Sequence, residues 1–186
     1  MCTDMERNKY DGNTQANAEM ARDSEEIARE LLNQLMPGQG FLSVHDEQEL
    51  WHYGDIVSKD GKYFDVKDDG RICDTGNVFA EECKRFYSNP DELADGWMKN
   101  SKYDYVCILD LIKQNMYVLD FAKLKKIYKN SSHKYAPSYL SDCISWGYCV
   151  PLSKCRKQGI IVAETGFVYD DDFDCYDLTE LNYKKK

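Results

Sequence analysis

Three charged residues, Asp55, Asp65 and Lys67, have the spacing of two opposed acids with a lysine beside them. They lie in two short β-prone runs, residues 53–57 and 63–67, joined by a connector that contains a turn-forming Asp-Gly pair. A three-residue turn in this connector places Asp55 opposite Asp65, with Cβ atoms about 4.5–5.5 Å apart. Because side chains alternate along a strand, Lys67 shares the face of Asp65 in this prediction.

Opposed carboxylates repel each other, so the pair would destabilise a hairpin that offered nothing to offset the repulsion. Mg²⁺ or Mn²⁺ offsets it well, because Mg²⁺ takes one or two protein carboxylates, keeps several waters and is completed by phosphate oxygens. Such an ion activates water for attack on a phosphate, and the neighbouring lysine can orient that water. The spacing therefore predicts metal-dependent hydrolysis of a phosphodiester, with a solvated hairpin face carrying an ordinary charge pair as the alternative.

The acid-x-Lys pattern is not specific by itself in so charged a chain. Asp60-Gly61-Lys62 and Glu82-Cys83-Lys84 match it as well, but the first lies in a turn and the second has no partner acid on a paired strand. Only Asp65-Val66-Lys67 has strand residues around it and an acid at hairpin register. A slip of one residue would send Asp55 to the opposite face.

Around this hairpin, segments with the hydrophobic periodicity of a helix alternate with segments that have the periodicity of a strand. The predicted helices are residues 14–36, 121–128 and 153–158, and the further predicted strands are 41–44, 78–81, 105–109, 116–119, 148–150 and 160–162. This order predicts an α/β or α+β fold with a mixed central sheet flanked by helices. We expect one domain over residues 1–186, with a flexible start at 1–13, a core at 14–162 and an acidic segment at 163–186.

Asp55 followed by Asp65-Val66-Lys67, after an amphipathic helix, resembles the PD-(D/E)xK nuclease superfamily, whose members share the restriction-endonuclease-like fold. Residues 75–81, 96–97, 101–105 and 150–153 resemble phage and mobile-element members of that group. The resemblance implies that Asp55 and Asp65 bind Mg²⁺ and that Lys67 is the catalytic lysine of a deoxyribonuclease. The chain departs from the family pattern at Gly54, where a proline would precede the first acid.

The resemblance also implies that the first helix supplies a glutamate to the metal. Glu25 has the family-like spacing to apolar residues three and seven positions later, whereas Glu26 and Glu30 are rivals on the same helix. Glu81 is a further candidate, reaching the site from a neighbouring strand. The choice among these acids stays open at the level of sequence.

The net charge of -9, from 24 basic and 33 acidic residues, excludes a uniformly basic nucleic-acid coat. Residues 121–160 nevertheless carry eight basic residues and one acid. Phosphate contacts depend on local charge, so this segment predicts a DNA-binding surface or, alternatively, a solvated helix face and loop. The predicted DNA-binding residues are Lys123, Lys125, Lys126, Lys129, Lys154 and Arg156. Single- or double-stranded DNA, RNA and a homodimer all remain open.

The 8 cysteines do not have common zinc spacings. The polar, acidic start is unlike a signal peptide, and no apolar run approaches the roughly 18 residues of a spanning helix. We therefore expect a cytoplasmic protein with reduced cysteines packed as small apolar side chains. A thiolate metal site using Cys143, Cys149 and Cys155 is the weaker alternative.

A second functional hypothesis is a protein with the same fold that does not catalyse a reaction. A catalytically inactive relative of phage or mobile-element origin would bind DNA or protein as an accessory factor. The overall acidity favours this alternative, whereas the hairpin acids and the lysine favour the enzyme.

Overall fold

A computed structural model describes residues 14–44, 53–140, 142–171 and 174–180. The helices that it bounds are α1 (Thr14–Leu35), α2 (Ile72–Thr75), α3 (Trp97–Asn100), α4 (Phe121–Ile127) and α5 (Leu152–Lys157). The strands are β1 (Phe41–Ser43), β2 (Ile56–Ser58), β3 (Tyr63–Asp68), β4 (Asn77–Phe86), β5 (Ala94–Asp95), β6 (Tyr105–Asp110), β7 (Asn115–Asp120), β8 (Lys134–Tyr139), β9 (Cys143–Pro151), β10 (Ile161–Asp170) and β11 (Cys175–Thr179).

The strands form two sheets, and the larger one carries the hairpin. Its order is β1-β2-β3-β6-β7-β10-β11, in which β3 and β6 run parallel and the other neighbours run antiparallel. The smaller sheet has the order β5-β4-β9-β8 and is antiparallel throughout. The fold is therefore mixed α+β, as predicted, with a mixed sheet at its centre.

The burial of β6 and β7 on both faces explains why their sequences are continuous apolar runs. Side chains on one face of these strands, such as Cys107 and Val118, pack with the α1 side chains Leu31 and Leu32. Side chains on the other face join a second core that includes residues of β4, β9, α4 and α5. Both faces of β6 and β7 are buried, which removes the polar alternation of a half-exposed strand.

Most of the predicted elements are confirmed within one to three residues. The exceptions are β4, β9 and β10, which extend five or more residues beyond the predicted runs, and the short elements α2, β5, β8 and β11, which were not predicted. Strand β8 contains Pro137, which lacks a backbone N–H and is tolerated because β8 lies at the edge of its sheet.

The prediction of a central sheet flanked by helices is incomplete. Helix α1 covers one face of the large sheet, but the smaller sheet contributes, together with α4 and α5, to the core on the other face. The boundary expected after residue 162 falls inside β10, which continues to Asp170 and pairs with β11. The expected flexible start, residues 1–13, lies outside the described residues.

Among the described helices, none combines the length and the apolar character that crossing a membrane requires.

The packing of α1 on the sheet predicts an unequal effect for two leucines. Leu31 on α1 is fully buried, whereas Leu42 on β1 is 62% exposed. We expect Leu31→Ala to lower the free energy of unfolding by about 2–5 kcal/mol, because it removes buried methyl groups and leaves a cavity. Leu42→Ala, the matched control, should change it by less than about 0.5 kcal/mol in urea titrations. Equal losses in the two variants would contradict this packing.

Candidate active site on the β2–β3 hairpin

The hairpin has the register that the sequence predicts. Ile56 pairs with Phe64 and Val57 with Tyr63, and the Ser58 amide donates to the Lys62 carbonyl at 2.9 Å. The amide of Asp55, the residue before β2, also donates to the Phe64 carbonyl at 2.9 Å, although Phe64 is the pairing partner of Ile56, so the ladder becomes irregular here. Asp55 therefore lies against the strand that carries Asp65, and the three-residue turn is confirmed.

Gly54 is the residue that lets the chain enter this hairpin. Its φ of +113° lies in the left-handed region, and a Cβ there would stand 2.7 Å from the Phe64 carbonyl oxygen. A side chain at position 54 would force the two strands apart just where Asp55 begins its pairing. Glycine at this position, where the nuclease pattern has proline, is thus required by the local backbone.

The side chains of Asp55, Asp65 and Lys67 converge on one side of the hairpin. An Asp65 Oδ2 to Lys67 Nζ distance of 2.8 Å forms an ion pair, and Asp55 Oδ2 accepts a hydrogen bond from the Val66 amide at 2.7 Å. Burial raises the pKa of the Asp55 carboxyl to about 7, and the charge of Asp65 acts in the same direction. The Val66 amide and Lys67 offset only part of this shift.

Lys67 is the positive charge of this group. Burial by itself lowers the pKa of the ammonium, but the carboxylates of Asp65, Asp55 and Glu81 outweigh burial and raise it. The side chain keeps 36% of its surface exposed, against 12% for Asp65. A charged amine is thus held beside the acids while one side of it stays accessible to solvent.

The structure distinguishes the three glutamates of α1. The negative charge of Glu25 makes a small contribution to the raised pKa of Asp55. Glu26 pairs with Arg29, and Glu30 accepts a hydrogen bond from the Tyr176 amide on β11 at 3.0 Å. Glu25 is thus the member of this set whose charge acts on Asp55.

Glu81 approaches from the smaller sheet rather than from a neighbouring strand of the hairpin's own sheet. It lies where the pairing of β4 with β9 shifts register, and such a bulge redirects side chains. Its Oε2 accepts a hydrogen bond from the fully buried Ser145 at 2.6 Å, and its charge helps to raise the pKa of Lys67. The second sheet therefore contributes an acid to the surroundings of the lysine.

Two residues near the site were not identified from sequence. Tyr103 is 6% exposed, and burial together with the charge of Asp65 raises the pKa of its hydroxyl, which therefore keeps its proton. Cys107 is fully buried on β6, and burial likewise raises the pKa of its thiol, with Asp65 and Asp55 adding to the effect. Their proximity to Asp65 depends on the parallel pairing of β3 with β6. No local sequence pattern encodes that pairing, so the sequence offers no signal for these two residues.

The donor set fits a hard cation. Its oxygens come from carboxylates, and the buried Asp65 Oδ2 has the Lys67 ammonium 2.8 Å away as its ion-pair partner. Mg²⁺ needs only one or two protein carboxylates when water and phosphate complete its shell. In the described part of the chain, no three or more His, Cys, Asp or Glu side chains form a metal-binding group as they stand.

The predicted DNA-binding residues are largely engaged within the protein. Lys123 pairs with Asp120, Lys129 with Glu82, and Arg156 makes a two-pronged contact with Glu164. The Lys154 ammonium lies 2.9 Å from the His133 ring nitrogen. Of the six predicted residues, Lys125, Lys126 and Lys154 are those without a carboxylate partner in the described ranges. The local excess of positive charge is thus smaller than the sequence indicates.

The three cysteines proposed as thiolate ligands do not meet. Cys143 and Cys149 lie six residues apart on β9, which separates them by about 20 Å. Cys155 is fully buried in the core between the sheets, where burial raises the pKa of its thiol to about 11. One metal ion cannot span these positions, and the buried members of the set pack as apolar side chains.

The fold and the site define a mixed α+β protein whose hairpin brings two acids and a lysine together. Comparisons with protein-family models, with curated proteins and with solved structures found no match to this chain. The function is therefore argued from the site itself.

The raised pKa of Asp55 predicts a pH-dependent gain in stability on Asp55→Asn. Because the folded-state pKa of about 7 exceeds the unfolded value of about 3.9, the folded state holds its proton more tightly. Stability is then greatest below about pH 4 and falls as the pH rises to about 7. Asn removes the charge and keeps an acceptor for the Val66 amide. We expect D55N to exceed the unchanged protein by about 1–3 kcal/mol at pH 8, with the difference vanishing near pH 4.

Urea titrations across this pH range measure the effect. Asp91→Asn, at an exposed loop position, is the matched control and should change the free energy of unfolding by under about 0.5 kcal/mol. A pH-independent difference for D55N would contradict the buried acid pair.

Proposed function

We propose that this protein is a metal-dependent nuclease that hydrolyses phosphodiester bonds of DNA, with a restriction-endonuclease-like site of the PD-(D/E)xK kind. The observation that carries the proposal is the convergence of Asp55, Asp65 and Lys67 on one side of the β2–β3 hairpin. Two acids forced together at a cost in free energy are typical of sites that serve chemistry rather than stability. The amphipathic helix before the hairpin and the mixed sheet agree with the resemblance.

Each residue has a role that follows from its position. Asp55 and Asp65 would hold Mg²⁺ or Mn²⁺, with Glu25 approaching from α1. When bound, the ion would supply an activated water and neutralise charge on the phosphate. Lys67, charged and partly exposed, would orient the attacking water and stabilise negative charge that develops on the phosphate oxygens. Glu81 would hold Lys67 in place through charge from the second sheet.

The compartment that we propose is the cytoplasm. The six cysteines Cys83, Cys107, Cys143, Cys149, Cys155 and Cys175 are free thiols, which agrees with a reducing environment.

The second candidate function is a catalytically inactive protein with the same scaffold that binds DNA or protein. The internal ion pairs of Lys123, Lys129 and Arg156 favour it, because they leave fewer positive charges for a phosphate backbone. Such a protein would bind its partner equally well in EDTA and would not cleave.

The decisive experiment is cleavage of supercoiled plasmid and labelled oligonucleotides with Mg²⁺ or Mn²⁺. We expect Asp65→Asn and Lys67→Met to lower the cleavage rate by about 100-fold or more, because each removes a group that acts on the reacting atoms. Asp60→Asn is the matched control, since Asp60 belongs to the other acid-x-Lys pattern in the exposed turn. Circular dichroism and thermal unfolding check that every variant is folded.

The result that would overturn the nuclease assignment is cleavage that persists in EDTA or is unchanged in D65N and K67M. DNA binding by the folded protein without any metal-dependent cleavage would instead support the inactive alternative.

Adjacent glutamates on α1 give a second test of the site. We expect Glu25→Gln to weaken Mn²⁺ binding by about 10-fold, because the charge of Glu25 acts on Asp55. Glu26→Gln should leave the affinity unchanged, since Glu26 is directed at Arg29 and Ser43. Isothermal titration calorimetry measures both, and an equal loss in the two variants would contradict the assignment of Glu25.

A further inference from the structure

An open groove of about 360 Å³ lies where β6 begins and where β7 ends in α4. Its walls include Lys102, Tyr103 and Asp104 before β6, and Phe121 and Lys125 of α4. The volume falls within the roughly 300–1,000 Å³ that is typical of ligand sites. Of its lining, Lys125 was among the DNA-binding residues predicted from sequence, and Tyr103 also approaches Asp65.

The two acids that line the groove, Asp104 and Asp120, already have ion-pair partners within the protein. Asp104 pairs with Lys62 at 3.0 Å and accepts a hydrogen bond from the Tyr63 amide at 3.1 Å. Asp120 pairs with Lys123 at 3.2 Å and caps α4 by accepting a hydrogen bond from the Lys123 amide at 2.9 Å. Their negative charge is therefore balanced by lysines from outside the lining.

The two lysines of the lining are not balanced in this way. Lys102 lies 5.9 Å from the centre of the Tyr53 ring, and Lys125 lies 4.8 Å from the centre of the Phe121 ring. Within the described ranges neither ammonium forms an ion pair, so both keep their charge for a ligand. Cation–π contacts hold a lysine in place without neutralising it. The groove thus presents two positioned positive charges in a protein of net charge -9.

Tyr103 connects this groove to the hairpin site. One part of the residue lines the groove, while its hydroxyl is buried near Asp65, which is the acid that pairs with Lys67. The groove is therefore separated from Asp65 by one tyrosine side chain. Tyr53, which is 38% exposed, packs its ring on Tyr63 and beside Lys102.

We propose that this groove binds the phosphodiester backbone of a nucleic-acid strand, with Lys102 and Lys125 contacting phosphates. The inference rests on the proposed nuclease function, because it supplies the track along which the substrate strand enters the hairpin site. It also narrows the main binding surface from the predicted basic segment, whose charges are largely paired, to the groove beside the site, which keeps Lys125 from that segment and adds Lys102.

The test is fluorescence anisotropy of a labelled 20-nucleotide single strand in EDTA, which prevents metal-dependent cleavage during the measurement. We expect Lys102→Gln and Lys125→Gln each to weaken binding by about 3- to 10-fold, and the double variant to lower the slope of log affinity against log salt by about 1.4. Lys134→Gln is the matched control, because it removes the same charge from the exposed edge strand β8.

Unchanged affinity in the double variant, or an equal loss in K134Q, would overturn the groove as a strand-binding site. A nucleoside monophosphate that competes at the same concentration as the 20-mer would also overturn it, because the groove would then hold a single phosphate.

The cleavage assay separates this inference from the function on which it rests. Weakened binding in the groove variants of a protein that never cleaves would retain the groove and reject the nuclease. Cleavage that depends on Lys67, with binding unaffected by the groove variants, would retain the nuclease and reject the groove.

Discussion

The burial of two carboxylates side by side is the constraint on which the rest of the site depends. Asp55 and Asp65 cannot both be charged at low cost in that position, and the pKa of Asp55 is raised mainly by burial and further by the charge of Asp65. The arrangement persists because the hairpin backbone, the Val66 amide and the ammonium of Lys67 hold it in place. A fold selected for stability alone would separate these acids, so their proximity supports the proposal that they serve chemistry.

The scaffold achieves this by enclosing the hairpin from two sides. Beneath it, the apolar face of α1 packs on Phe64 and Val66, which alternate with the acids and the lysine along β3. Beside it, the parallel strand β6 and the segment that precedes it bring Cys107 and Tyr103 near Asp65. The low polarity of these neighbours strengthens every charge interaction in the site, favourable or not. Stability and chemistry thus oppose each other in the same few residues.

The second sheet changes how the charges of the chain should be interpreted. It contributes Glu81 to the surroundings of Lys67 and Glu82 to an ion pair with Lys129. Lys129 of the basic segment is thus the partner of an acid distant in sequence, whereas Lys123 and Arg156 pair with the nearer Asp120 and Glu164. Within the described ranges, Lys102 and Lys125 at the groove form no ion pair. Electrostatic attraction of a polyanion depends on this residual local charge rather than on the charge of a segment or of the whole chain.

The amino-acid sequence by itself determined the helix α1, the two buried central strands and the register of the hairpin, because these follow from local periodicity and from a short turn. The same local rules placed Asp55, Asp65 and Lys67 on one face. Only the tertiary structure decided that the charge of Glu25 acts on Asp55, that an edge strand accommodates Pro137, and that a second sheet exists at all. Those features depend on contacts between residues far apart in the chain, and no local pattern of side chains encodes such contacts.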